Sequence, residues 1–153
     1  MLIDYYFRPL ALHDLASMME LEREVFLLPW SVGQMKDSLL AAHCQAWGLY
    51  SELSGELIGF GILSVIFEEV EVLTLSVAKR FHRKGYGENL LNFLLEKSCE
   101  AKAEKVFLEV PKSNLPAIGL YKKLNFEIVG ERENYYANPD NTREDAILMR
   151  CQL

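Results

Sequence analysis

The sequence predicts an α/β (α+β) chain: one mixed, mostly antiparallel central sheet of six to seven strands, flanked on both faces by about four helices. Three observations lead there. Apolar residues alternate in some segments and recur at helical spacing in others, in the order strand, two helices, three strands, helix, strand, helix, two strands. The early strand segments follow one another across turn-like breaks, as hairpins do, while the later ones are separated by helical stretches long enough to cross over. A length of 153 residues suits a single domain, 1–153, able to bury roughly 68–70% of its unfolded surface.

The elements follow in order. "DYYFRP" (4–9) reads as a strand ended by Pro9. "HDLASMMELEREVF" (13–26) places Leu15, Met18, Met19, Leu21 and Val25 near helical spacing, with Asp14 as its N-cap. "LLPWSVGQMKDSLL" contains Pro29 and then Ser31, the cap of a short second helix. "AWGLYSE" (46–52), the turn "LSGE" and "LIGFGILSVIF" (57–67) form a hairpin. "EEVEVLTLSV" (68–77) alternates and then becomes wholly apolar as it enters a core. Residues 85–102 form a long helix whose apolar stripe is Leu90, Leu91, Leu94, Leu95 and Cys99. "KVFLEV" (105–110) is a strand, and 114–124 a helix capped by Ser113 or Asn114 with Pro116 in its first turn. "FEIVGE" (126–131) and "DAILMRCQ" (145–152) are the last two strands, on either side of a polar loop.

Half of the residues are hydrophobic and a quarter charged, which is ordinary globular composition. The net charge of −6 speaks against a nucleic-acid partner, since such binders are usually basic. "MLIDYYFRPL" has no basic leader and carries Asp4, unlike a secretory signal. The longest apolar run, 57–67, is too short to span a membrane. Cys44, Cys99 and Cys151 are widely spaced and match no zinc pattern. The expectation is buried or half-buried free thiols in a reducing cytoplasm, with no metal and no membrane association. His43 beside Cys44 adds little, because sequence neighbours do not face each other.

One stretch stands apart. "VAKRFHRKGYGENLL" (77–91) runs from a strand through a basic loop and two glycines into a helix. A helix start has unpaired N–H groups and the positive end of the dipole, and glycine lets a phosphate approach the backbone. Lys79, Arg80, Arg83 and Lys84 add positive charge. A solvated basic turn is the plainer alternative, since Gly-x-Gly alone is weak. A dinucleotide site, with Glu109 as the distant acid, is a rival; Leu90 at the third glycine position and the long gap from Val77 to Gly85 count against it. No Gly-Lys-Ser/Thr follows, which excludes a Walker loop.

"SVAKRFHRKGYGENLL" resembles the acyl-CoA pyrophosphate loop of the Gcn5-related N-acetyltransferase (GNAT) family, usually Gln/Arg-x-x-Gly-x-Gly/Ala, with His82 here in the first position. "FLEVPKSNLPAIGLYKKLNFEIVG" is similar to the family's next strand, helix and strand, where Asn-x-x-Ala-x-x-Leu-Tyr-x-x-x-Gly-Phe is usual. Asn125 replaces that glycine, as a left-handed backbone allows, and Pro111 stands where Arg is common. "LPWS", "LTLSV", "LEV", "ENYY" and "REDAILM" resemble the branch that acetylates the N-terminal alanine of ribosomal proteins.

The resemblance implies the GNAT fold and acetyl-CoA as cosubstrate. It implies the N-terminal peptide of a small-subunit ribosomal protein as acceptor, direct transfer in a ternary complex, and a cytoplasmic monomer or weak dimer. It places Leu75, Ser76 and Val77 along the acetyl-pantetheine arm, and Arg83, Lys84, Gly85, Tyr86, Gly87 and Glu88 around the pyrophosphate. Asn114 contacts the cofactor, Glu109 matches the general base and Tyr121 the general acid.

The residues by themselves leave alternatives open. Glu109 faces away from Leu108 and Val110, which suits a base or an exposed ion-pair partner. Tyr121, near Ala117, Leu120 and Leu124 on a helix, suits an acid or a core tyrosine. Trp30, Tyr135 and Tyr136 either line an acceptor site or simply pack. Glu68, Glu69 and Glu71 either attract a basic peptide or mark a solvated edge. An α-amine with a pKa of about 7.7–8.0 deprotonates cheaply near neutrality, and a tyrosine near about 10 can protonate a departing thiolate. A backbone N–H near Val77 can meet the carbonyl oxygen. No Gly-x-Ser-x-Gly or activated Cys supports a covalent route. Three further readings compete: a small-molecule amine acetyltransferase, a non-catalytic acyl-CoA sensor and a nicotinamide-binding protein.

Overall fold

The computed structural model describes residues 2–153. In chain order its elements are β1 (Tyr5–Pro9), α1 (Leu15–Val25), α2 (Val32–Leu40), β2 (Cys44–Ser51), β3 (Leu57–Ile66), β4 (Glu69–Val77), α3 (Tyr86–Glu100), β5 (Lys105–Pro111), α4 (Leu115–Lys123), β6 (Phe126–Ala137) and β7 (Arg143–Gln152). Short 3-10 turns at Leu12–Asp14 and Lys79–Phe81 precede α1 and α3. All strands join one sheet, ordered β1-β2-β3-β4-β5-β7-β6. β4 and β5 pair in parallel and the other neighbours antiparallel. This is the mixed, mostly antiparallel sheet with helices on both faces that the sequence predicts.

Alternation along the strands builds two cores. Val70, Val72, Val106, Leu108, Val110, Ile147 and Met149 face α3 and α4, packing with Leu90, Leu91, Leu94 and Ile118. Phe60 and Ile62 face the other way, against Met18, Met19 and Leu21 of α1 and Met35 of α2. Each fully buried leucine contributes about 1.5–3 kcal/mol, so this stripe, more than propensity, holds α3 in place. Gly61 admits α3: a Cβ there would lie 2.6 Å from Leu94 Cδ1.

Ser31 caps α2, accepting from the Gln34 amide at 3.1 Å while Gln34 returns a bond to the Ser31 amide. Asn114 caps α4, and Asn125 has φ of 70°, the left-handed backbone expected after that helix.

Three details differ from the sequence reading. Asp14 precedes α1 but does not cap it; its carboxylate turns back to the Ala11 amide and the Arg8 guanidinium, each at 2.9 Å. Ser98, not Cys99, completes the buried stripe of α3, because its hydroxyl donates to the Leu94 carbonyl at 2.8 Å. Cys99 is exposed, whereas Cys44 is half-buried and Cys151 buried. The segment read as a polar loop after residue 131 is mostly hairpin. Its side chains are largely solvated, so no apolar alternation announces it. Arg143 supports it by donating to the Asn134 and Tyr135 carbonyls.

Candidate active site

The site begins with a fault in the sheet. Ile62 pairs with Thr74 and Leu63 with Val72, so Leu73 is an extra residue, a bulge in β4. Beyond that point the parallel neighbours part. β4 and β5 pair only over Glu69–Val72 and Lys105–Leu108, although β4 continues to Val77 and β5 to Pro111, each still paired on its other side. The strands splay, leaving a gap between 73–77 and 109–111. The Ala78 amide donates to the Ile58 carbonyl at 2.8 Å. Ladder alternation therefore turns the N–H groups of Leu75 and Val77 away from β3 and into the gap.

At the end of β4 lies the glycine loop. Gly85 has φ of 95° and stands at the N-cap of α3, a left-handed position that disfavours any side chain. The amides of Arg83 through Glu88 find no protein acceptor among the described residues. Gly87 differs from Gly85: a Cβ there would sit 3.8 Å from Val77 Cγ2, ordinary contact, so the fold itself does not require glycine. Unpaired amides at a helix N-terminus, left uncovered by Gly85 and Gly87, suit a diphosphate.

Of the basic residues, Arg83 and Lys84 are exposed and form no ion pair among the described residues. Arg80 instead pairs with Glu56 and lies over the Phe81 ring. His82 does not point its ring at the amides. Its Nε2 donates to the Val77 carbonyl at 2.5 Å, fastening the loop to the end of β4. Glu88 pairs with Lys123 of α4 at 2.9 Å. Tyr86 is 2% exposed, its hydroxyl accepting from the Ile3 amide, so only its main chain faces the loop. Ser76 likewise is buried, with its hydroxyl on Glu22. Asn114 spends its carbonyl oxygen on the Ala117 amide and is otherwise exposed.

Glu109 lies on the face away from Leu108 and Val110. The same alternation puts Glu71 there, since it pairs with Phe107 two positions before Glu109. This is the face that α1 and α2 cover over β2–β4. Arg132 of β6 donates Nε to Glu109 Oε1 at 3.1 Å, and the Glu109 side chain is only 11% exposed. Solvent loss and then the Glu109 charge push the Glu71 carboxyl up, with Arg132 opposing. Burial first, then Glu109, Tyr135, Tyr121 and Glu71, drive the Tyr136 hydroxyl far above its usual range. Tyr136 of "NYY" thus lies beside the carboxylates, while the exposed Tyr135 packs against its ring and under Arg132.

Tyr121 packs on Phe126, and burial pushes its hydroxyl up to about 12. That hydroxyl makes no protein hydrogen bond, yet no buried polar side-chain atom lacks a partner among the described residues. The oxygen is therefore largely buried but not fully enclosed by the protein. Burial also raises the Cys44 and Cys151 thiols, which disfavours the thiolate.

Sequence reasoning missed Arg132 and Glu22. Arg132 sat in an apparent polar loop, with nothing to single it out. Glu22 had a signal: it lies four residues after Met18 and three before Val25, inside the apolar stripe of α1.

Comparison with known proteins agrees with this geometry. The acetyltransferase (GNAT) family profile matches residues 15–126. The chain is 31% identical over 140 residues to a [ribosomal protein bS18]-alanine N-acetyltransferase of Haemophilus influenzae, covering 92% of this chain and 93% of that protein. The crystal structure of the ribosomal-protein-S18-alanine N-acetyltransferase from Escherichia coli superposes with a TM-score of 0.91 at 28% identity, covering 97% of this chain and 94% of that one. Arabidopsis thaliana NAA60, solved with acetyl-CoA, shares the fold at a TM-score of 0.86 and 22% identity, over 98% of this chain and 99% of that one.

Proposed function

The chain belongs to the acetyltransferase (GNAT) family, and from that premise we propose that it acetylates the N-terminal α-amine of a protein, the N-terminal alanine of a small-subunit ribosomal protein. It is an N-acetyltransferase, and acetyl-CoA is its cosubstrate. The acceptor is taken from relatives named for alanine N-acetylation of bS18. One observation carries the reading: the open edge between β4 and β5 joins a diphosphate cradle at one end to Glu109 at the other. The enzyme acts in the cytoplasm. Among the described residues, no helix is long and apolar enough to cross a membrane.

Acetyl-CoA supplies a thioester carbonyl open to attack by an amine. Arg83, Lys84 and the amides of residues 83–88 hold the diphosphate, and Leu75 and Val77 offer N–H groups along the gap. The Val77 amide binds the carbonyl oxygen as charge develops there. Glu109, oriented by Arg132, takes the amine proton directly or through a water; an α-amine of pKa about 7.7–8.0 demands little of it. Holding amine against thioester supplies much of the remaining acceleration.

Tyr121 keeps its proton throughout the neutral range, because burial places it near 12. Against a thiol of about 8.5, complete transfer to the departing sulfur is uphill by about 5 kcal/mol. Tyr121 therefore stabilises the thiolate by donating a hydrogen bond, a more limited role than full protonation. Trp30, Glu71 and Tyr136 border the amine's approach.

Incubation with acetyl-CoA and an alanine-first ribosomal peptide, followed by mass spectrometry, tests the reading. One acetyl group on the α-amine is expected. Binding of acetyl-CoA with no transfer to the peptide contradicts the acceptor assignment, and faster turnover of polyamines favours a small-molecule enzyme.

A further inference from the structure

Glu22 is 1% exposed, a carboxylate sealed where a hydrophobe would fill the stripe of α1. Both oxygens are engaged. The Trp30 amide donates to Oε2 at 3.1 Å, and the Ser76 hydroxyl donates to Oε1 at 3.3 Å. Trp30 belongs to the connection between α1 and α2, and Ser76 to β4, between the two residues whose amides enter the gap. One side chain thus bridges three segments.

Apart from the Trp30 ring, which packs on the core of that face, little else holds the connection. Phe26, Leu27 and Leu28 are 38%, 84% and 55% exposed. Among the described residues, Trp30 is the one position of 27–30 whose amide finds a protein acceptor. The connection lies on the sheet face that also carries Glu71 and Glu109, across the gap from β5. On the functional reading above the amine reaches Glu109 on that face, where the connection lies beside Ser76 at the open end of β4.

We propose that Glu22 is a positioning residue that latches the acceptor-side connection, through the Trp30 amide, to the gap strand β4 at Ser76. It fixes the wall along which the acceptor peptide lies while taking no part in proton transfer. The proposal rests on the N-acetyltransferase reading and adds a residue that sets acceptor affinity. β4 itself is held by its ladder with β3 up to Val77, so loss of the latch leaves the acetyl-CoA gap in place.

Two variants separate a latch from a mere core residue. Glu22→Gln keeps an oxygen for the Trp30 amide and an NH2 group that the Ser76 hydroxyl can accept from. Glu22→Leu fills the space and makes neither bond. Steady-state kinetics with acetyl-CoA and an alanine-first peptide, calorimetry with acetyl-CoA, and amide hydrogen exchange of residues 27–31 are measured on each. Glu22→Leu is expected to raise the peptide KM about tenfold or more, leave the acetyl-CoA Kd within about twofold, and speed exchange at Trp30; Glu22→Gln restores the wild-type peptide KM to within about threefold. An unchanged peptide KM in Glu22→Leu, equal weakening of peptide and cofactor, or no rescue by Gln overturns the proposal. If the wild type acetylates no peptide, the functional reading fails by itself, and unchanged exchange at Trp30 in Glu22→Leu then overturns the latch separately.

Discussion

Arg132 reaches from β6 to β5 and donates Nε to Glu109 Oε1 at 3.1 Å, although Arg132 is 57% exposed and Glu109 only 11%. The buried partner thus depends on a solvated one for its orientation. Exposed pairs contribute about 0.2–1 kcal/mol, so Arg132→Met is expected to lower kcat about two- to fivefold with the melting temperature nearly unchanged. Peptide turnover and thermal melting check this; a hundredfold loss would give Arg132 a direct role in the chemistry.

Glu109→Gln removes the proposed proton acceptor and leaves the gap intact. The amine must then lose its proton unaided, so kcat/KM should climb with pH through about 7.7–8.0, and the deficit against wild type should shrink above that range. A pH–rate profile parallel to the wild type's rejects Glu109 as the base.

Tyr121→Phe is expected to lower kcat on the order of 10²-fold, the low end for loss of one hydrogen-bond donor to developing charge, with the acetyl-CoA Kd within about twofold. Equal losses in turnover and binding would assign the hydroxyl to cofactor affinity.

Tyr121 also predicts a stability effect. Its folded value near 12 exceeds the usual ~10 of an unfolded tyrosine. Below ~10 both states hold the proton and the shift is silent; as pH rises from about 10 to 12 the unfolded state ionises first and stability falls, by about 2–3 kcal/mol at most. Denaturant melts of Tyr121→Phe should lose less stability over that interval than the wild type, and identical losses refute the burial effect.

Gly85 and Gly87 separate fold from ligand. Gly85→Ala places a Cβ at φ of 95° and is expected to cost about 1–2 kcal/mol of stability. Gly87→Ala meets only ordinary contact in the protein, adds a better helix former and matches the Gly/Ala position of the family's loop, so its melting temperature should hold or rise with acetyl-CoA affinity kept, whereas Gly87→Val, which sets a branched side chain over the open amides, should weaken acetyl-CoA about tenfold or more. Full affinity in Gly87→Val contradicts the diphosphate cradle.

Much of this was legible in the residues. The Ser31 cap, a cap at Ser113 or Asn114 that falls to Asn114, the left-handed Asn125 and the glycine turn follow from local chemistry that the sequence states directly. The alternation of "VFLEV" put Glu109 on the correct face. What remained hidden depends on the third dimension. The Leu73 bulge and the parting of β4 from β5 arise from pairing on both sides at once. Arg132 acquires a role only when the hairpin folds over the sheet, and Arg80 is drawn away by Glu56, distant in sequence. Asp14 looked like a cap, but Arg8 and the Ala11 amide offered its carboxylate closer partners.

The most direct measurement follows individual backbone amides by hydrogen exchange as acetyl-CoA is added. Protection is expected at Leu75, Val77 and Arg83 through Glu88, with little change in the β1–β2 hairpin. Saturating acetyl-CoA that leaves those amides exchanging as in the free protein, while acetyl transfer still proceeds, would contradict the proposed binding site.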